Sequence, residues 1–489
     1  MDKIRTDKLR FIDDKGRERI FNGVNLVYKG RQSETNPFRK NYTPTDWDES
    51  MFSYLKSKGI NLVRLGLQWD AVEPECGIYD KDYLNLFSGY IDLCAKYGIY
   101  VFLDMHQDLY SAQYSDGAPR WATVSDGKKY HKSKIIWAMG YFIDPAVHKA
   151  SDNFWNNREV YGKGLQDHFA DMWKYVVNYY KDKKNIIGYD IYNEPCPGTD
   201  SFKIFASVAA KAVGLVVSPK IPKIKTIRKM AETSVVEGAL GAVTGDIFVS
   251  ATSAGSRLNS KFTMDYYYPF LKKVSSAIRQ IDKEKLIVIE NSYWSNVAMP
   301  CLCPKIVYDD GKTDENIVFA PHGYDITVDS ENTNLQSPDR VDRIFEEHKK
   351  TQDRLSCPVI VGEYGGVVPG IPDYPGLKYQ INLFDKNKWS HTFWAFGMDF
   401  KDTPIMDILS RPYPVFVDGR IISYGVDFNS KKFKLVYDSA NENAEAEVYC
   451  PTKPKNINSS SKTEAEYFDG YTILHIASAA GKNELTFNY

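Results

Sequence analysis

The sequence predicts an α/β protein, a (β/α)8 TIM barrel followed by a small all-β sandwich. Two observations carry that prediction. Eight short runs rich in β-branched and aromatic residues alternate with segments of helical periodicity up to about residue 400. From about Arg411 the helical segments give way to short alternating strands joined by Asp-Gly, Asn-Ser and Pro turns. An open doubly wound sheet is the alternative. It wants a Gly-rich phosphate turn after its first strand, and GVNLVYKG is not one.

The eight strand-like runs are Ile20–Val27, Ile60–Gly66, Ile99–Met105, Ile186–Tyr192, Leu286–Glu290, Ile317–Pro321, Pro358–Gly362 and His391–Phe396. Each is short and almost wholly apolar, as strands buried on both faces must be. Between them, apolar residues recur at three- and four-residue spacing over Trp47–Lys58, Tyr83–Tyr97, Leu165–Tyr180, Tyr266–Ile281, Val341–Leu355 and Leu377–Asn387. These place the barrel at residues 1–410 and the sandwich at 411–489, with Arg411-Pro412-Tyr413-Pro414 at the joint. One segment breaks the alternation: residues 199–265 form an insertion far longer than an ordinary barrel loop. It holds the apolar stretch SFKIFASVAAKAVGLVV and a basic cluster of Lys220, Lys223, Lys225, Arg228 and Lys229. The stretch is too short and too interrupted to span a bilayer. Two readings stand, a helical insertion with a solvated basic face and a lid that meets an apolar aglycone or an anionic membrane surface.

Composition narrows the function. The 489 residues carry 62 Lys and Arg against 63 Asp and Glu, a net charge of −1, which argues against nucleic acid as a partner. Aromatics are abundant at 14%, and their faces suit a protein core or the apolar faces of sugars and lipid chains. The seven cysteines are odd in number and do not form a disulfide framework, although one or two bridges stay open. The histidines outside the candidate site (His131, His148, His168, His348, His391 and His475) show no ligand spacing, so neither a metal nor a cofactor is expected. The opening stretch MDKIRTDKLRFIDDKGRERIF has no apolar run of signal-peptide length, so the chain reads as cytoplasmic unless a leader has been removed. No obligate protein partner is evident.

Barrel enzymes keep their reactive groups at the C-terminal ends of strands. Strand four ends in Asp190-Ile191-Tyr192-Asn193-Glu194-Pro195 and strand seven in Gly362-Glu363-Tyr364-Gly365-Gly366. Two carboxylates facing one barrel mouth are the minimum for glycoside hydrolysis: one protonates the leaving oxygen, the other attacks or screens the oxocarbenium-like centre. The chain resembles the retaining glycoside hydrolases of the cellulase-like family 5 through these motifs. Arg64 in Asn61-Leu62-Val63-Arg64-Leu65, His106 after strand three, His322 and Tyr324 in Ala320-Pro321-His322-Gly323-Tyr324, and Trp394 at the end of strand eight extend the match. Within that family, Asp104-Met105-His106-Gln107-Asp108-Leu109-Tyr110-Ser111, Ala71-Val72-Glu73-Pro74, Phe154-Trp155 and the Arg-Pro-Tyr-Pro joint are similar to the endoglycoceramidases.

The resemblance implies that Glu363 is the nucleophile and Glu194 the acid/base. Arg64 and Tyr324 then support Glu363, and Asn193 holds the sugar 2-OH. Lys29, His106 and Asp108 clamp other hydroxyls, while Trp155 and Trp394 offer flat faces. His322 reads as a substrate-binding residue or only as a buttress of the acid/base or of strand six, and Trp155 also as a hydrophobic staple. Trp69 and Tyr110 read as core. The implied substrate is a glycosphingolipid cut between glycan and ceramide, with a transient membrane-surface contact, and an extracellular home once a leader is removed. An exo-acting β-glucosidase or β-galactosidase on glucosylceramide, galactosylceramide or steryl glucoside is a second reading. A plain β-glucanase and a non-catalytic glycolipid-binding module are the others. The insertion lies on the leaving-group side of Glu194 and leaves aglycone choice open.

Overall fold

A computed structural model describes residues 1–33, 40–134, 136–217, 243–328, 330 and 332–489. Eight parallel strands form the barrel: Asn22–Val27, Leu62–Gln68, Tyr100–His106, Ile186–Asp190, Leu286–Glu290, Ile317–Ala320, Ile360–Val361 and Ser390–Phe393. Strand eight pairs with strand one, and the ladder runs on through strands two to six. Between strands six and seven the barrel closes only by isolated bridges, Phe319 with Val359 and His322 with Glu363. Strands two and three are buried along their whole length, which explains why their sequences are nearly continuous apolar runs. Helices cover the outside. Asp80 caps the helix Lys81–Lys96 by accepting from the Tyr83 N–H, and Asp144 does the same for Pro145–Trp155 through Ala146 and Val147.

The expected barrel span of residues 1–410 differs at its N-terminal end. Residues 4–19 do not belong to the barrel wall. Ile4–Asp7, Arg10–Asp13 and Glu18–Arg19 form antiparallel strands, and Glu18–Arg19 pairs with Tyr413–Val417 of the sandwich. They thereby complete a seven-stranded sheet that faces a four-stranded one. Ile20, Val417, Phe433, Val448, Leu474 and Phe487 pack in the sandwich core. The same short strands also close the barrel floor: Ile4, Phe11 and Phe21 pack with the interior residues Leu62, Tyr100 and Phe102. This dual use is a tertiary effect that strand periodicity does not encode.

Part of the 199–265 insertion is described. Gly198–Val217 is one long helix, and Gly245–Thr252 and Ser256–Phe262 are shorter ones. The long helix packs onto the barrel rim, where Phe205 stacks on Phe142 at 5.1 Å and Ile204 is buried against Trp294 and Met299. The basic cluster from Lys220 to Lys229 lies outside the described residues. Among the described residues no helix is long and apolar enough to cross a membrane. All seven cysteines are free thiols.

Candidate functional site

Arg64, fully buried on strand two, is the hub of the barrel mouth. Its Nη1 donates to Glu363 (2.8 Å) and Asn25 (3.1 Å), Nη2 to Asn193 (2.9 Å) and Glu290 (2.6 Å), and Nε to Asp190 (2.9 Å). Asp104 completes the ring at 3.0 Å. The guanidinium thus ties together the ends of strands one, three, four, five and seven and occupies the space between Asp104, Asp190 and Glu290. A planar fork with five N–H donors suits this task, and a lysine would not.

Glu363 accepts from Arg64 on one oxygen and from the Tyr324 hydroxyl (2.8 Å) on the other. Glu194 accepts from the Asn296 amide (2.6 Å), and its own N–H donates to Glu290 (2.6 Å). Its backbone sits at φ 46°, a strained region for a residue other than glycine, held by these bonds. His322 lies between the two carboxyls, Nδ1 3.0 Å from Glu194 and 3.6 Å from Glu363. One oxygen from each carboxyl and an imidazole nitrogen all fall within 4.8 Å of one another. Retaining glycosidases hold their carboxyls about 5–5.5 Å apart, inverting ones roughly 6.5–9.5 Å, and so close an approach of two carboxyl oxygens favours the retaining arrangement.

Burial pushes the Glu363 carboxyl up to about 7, with His322 and Arg64 pulling it down and Glu194 pushing it up. Burial opposes protonation of His322, yet Glu290 and Glu363 hold it well above the usual imidazole range. His106 is likewise raised to about 10: burial works against its charge, and Asp104, 2.8 Å from Nδ1, overcomes it. Its ring stacks on Trp394 at 5.2 Å. Lys29 pairs with Asp108 and stands 5.2 Å over the Trp394 ring. Asn193 places its carboxamide between Arg64 and the Gln107 carbonyl, to which it donates (3.0 Å).

Glu194, Glu363, Asn193, His106, Asp108, Tyr324 and Trp394 line one cavity of about 580 Å³. Its lining also includes the apolar side chains Ile136, Trp137, Phe142, Trp294, Val297 and Val328. A larger cavity of about 680 Å³ on the same rim, between Tyr42, Asp70 and Arg120, contains neither carboxylate.

Sequence reasoning placed one residue wrongly and missed several. Trp155 is not on the cavity wall. It is 6% exposed, donates its indole N–H to the Cys196 carbonyl (2.9 Å), and packs edge-on against Phe154, Phe262 and Phe270. An aromatic pair on a helix facing the barrel is drawn into the core by its area. Trp69 and Tyr110 are buried, as expected. Missed were Glu290, Asn296 and Gln107, whose amide donates to the Asn193 carbonyl (2.7 Å). Glu290 ends strand five, so the rule that found Glu194 and Glu363 also reaches it; Asn296 lies beyond the strand on a short 3-10 turn and carries no such signal.

Residues 21–239 and 259–399 match the cellulase (glycosyl hydrolase family 5) domain. The chain belongs to glycoside hydrolase family 5. Its residues 411–484 match the family 5 C-terminal domain. The family match runs through most of the segment set apart at 199–265 and leaves out only 240–258. An endoglycoceramidase of Hydra vulgaris is 29% identical over 468 residues, 88% of this chain and 76% of that protein. One of Cyanea nozakii is 30% identical over 309 residues, 57% of this chain and 59% of that one. Among solved structures, endo-glycoceramidase II from Rhodococcus sp. with ganglioside GM3 shares the fold at a TM-score of 0.71 and 21% identity, covering 99% of both chains. The sterylglucosidase 1 of Cryptococcus neoformans does so at 0.71 and 16%, covering 99% of this chain and 97% of that one.

Proposed function

We propose that this family 5 chain is a retaining endo-glycosidase that releases the glycan of glycosphingolipids from ceramide. The observation that carries the reading is that one cavity joins the paired carboxylates and the hydroxyl-binding groups to a set of apolar side chains fit for a lipid aglycone. The endoglycoceramidase relatives from Hydra and Cyanea support the choice of substrate. Exposed Ile136 and Trp137 in that lining are compatible with transient contact with a lipid surface.

Arg64 and the Tyr324 hydroxyl stabilise negative charge on Glu363, which suits the nucleophile, while Glu194, held by the Asn296 amide and beside His322, is placed to serve as the acid/base. Glu363 attacks the anomeric carbon as Glu194 protonates the departing ceramide oxygen, giving a glycosyl ester on Glu363. Esterification removes the negative charge beside Glu194, which then draws the proton from water. That water attacks the same carbon and breaks its bond to Glu363, and this second inversion restores the starting configuration. Asn193 donates to the sugar 2-OH, His106, Lys29 and Asp108 bind other hydroxyls, and Trp394 supplies the stacking face. His322 acts through Glu194 as a positioning residue.

Glu363→Gln abolishes turnover, and Glu194→Gln slows it by roughly 10²–10⁴-fold and is rescued by azide on an activated aryl glycoside. Full activity in Glu363→Gln refutes the assignment. Product analysis with a purified ganglioside and a glucosylceramide side by side tests the cleavage mode. Intact glycan from the first supports the endo reading; free glucose from the second alone supports the exo one.

A further inference from the structure

Away from the catalytic cavity, three side chains of different chemistry converge beside the barrel rim. Glu73 follows the short helix Trp69–Val72, Cys76 lies in the turn after it, and His168 projects from the helix Leu165–Tyr180. One ligand atom from each falls within 4.8 Å of the others. The Cys76 Sγ stands 3.7 Å from His168 Nδ1. A tetrahedral zinc ion with its usual bonds of about 2.3 Å to sulfur and about 2.0–2.1 Å to nitrogen sets these two atoms roughly 3.5 Å apart.

The surroundings hold each group for ligation. His168 Nε2 lies 2.9 Å from the Val160 carbonyl and donates to it, which leaves the Nδ1 lone pair facing the thiol. Each Glu73 oxygen accepts one N–H, from Gly77 (2.8 Å) and from the Trp69 indole (2.9 Å), and each keeps a lone pair. Glu73 and His168 are buried whereas Cys76 is partly exposed, so a fourth position can face solvent. The nearest cation, Lys163, is engaged by Asp171. We propose that Glu73, Cys76 and His168 form a binding site for a zinc-class divalent cation that staples the loop after strand two to this helix. Thiolate, imidazole and carboxylate together select zinc over the hard cations. On binding, a metal–sulfur bond forms, the S–H bond breaks and the proton passes to solvent, with no change of oxidation state.

The test uses the full chain, stripped with chelator and titrated with cobalt(II), a spectroscopic stand-in for zinc. The expected result is a thiolate-to-cobalt charge-transfer band saturating at one equivalent and displaced by zinc(II). Cys76→Ser loses the band, and His168→Gln weakens cobalt binding at least tenfold, while both keep the near-UV circular dichroism of the parent. Zinc raises the melting temperature of the parent and leaves that of Cys76→Ser unmoved. No band in the parent, or a band that survives Cys76→Ser, overturns the proposal. Neither outcome bears on glycan cleavage, because none of the three residues lines the catalytic cavity.

Discussion

A guanidinium without solvent contact survives only if its partners return the hydration it lost, and Arg64 finds five carboxylate or amide partners besides Asp104. The carboxyl it supports shows the opposite balance. Glu363 has a folded value of about 7 against an ordinary 4.5, because burial outweighs its cationic neighbours. A carboxyl raised in this way costs no stability below the unfolded value, costs progressively more as pH climbs from the unfolded to the folded value, and costs a constant amount above it. Glu363→Gln removes that cost, on the order of 3 kcal/mol above pH 7 and nothing below pH 4. Thermal unfolding of both proteins across that range checks it: the melting temperature of the variant pulls ahead as pH rises, and a constant gap refutes the argument. Glu194 and Glu363 were legible in the sequence because each sits in a motif at the end of an apolar run. Glu290 sits at the end of another, but without a motif its carboxyl looked like an ordinary strand boundary. Trp155 shows the converse, since an aromatic residue beside a site carries no mark that tells a sugar platform from a core filler.

At the scale of elements, strand seven has the shortest ladder of the barrel and leads into Glu363. Only Ile360–Val361 pairs in a regular ladder, and the turn that follows depends on glycine. Gly365 has φ 95°, and a Cβ there lies 2.5 Å from the Phe393 ring. Gly365→Ala therefore combines backbone strain with overlap in a packed core and is expected to cost roughly 2–4 kcal/mol. Because Gly365 follows Glu363 by two residues, kcat falls at least tenfold at a temperature where the variant is still folded. Denaturant titration and steady-state kinetics measure the two effects, and a variant equal to the parent in both refutes them. The eight barrel strands and six helices were legible because burial on both faces forces apolar runs and burial on one face forces helical spacing. The strands at residues 4–19 escaped because IRTD, RFID and ER are short and dense in charge.

At the scale of the whole molecule, a buried arginine ties the joint between barrel and sandwich to the barrel. Arg411, at the Arg-Pro-Tyr-Pro joint, pairs bidentately with Asp385 of the helix Pro375–Asn387 and donates to Asn22 of strand one (3.2 Å). It also lies 3.2 Å from His391 of strand eight, whose other nitrogen meets the hydroxyl of Tyr364, the neighbour of Glu363. Arg411→Ala leaves the Asp385 carboxylate buried and alone, at roughly 3–5 kcal/mol. The midpoint of chemical denaturation should fall accordingly, and an unchanged midpoint refutes the role. The motif marked the joint in the sequence, but the partners, 20 to 389 residues away, were set by the fold. The strands at residues 4–19 have a further consequence, in time. They leave the ribosome almost 400 residues ahead of Tyr413–Val417, the strand they join. At roughly 5–20 residues per second that is a wait on the order of tens of seconds in which the Glu18–Arg19 edge lacks its partner strand. The same density of lysine, arginine and aspartate that hid these strands from a reading of the sequence guards them from other nascent chains until their partner arrives.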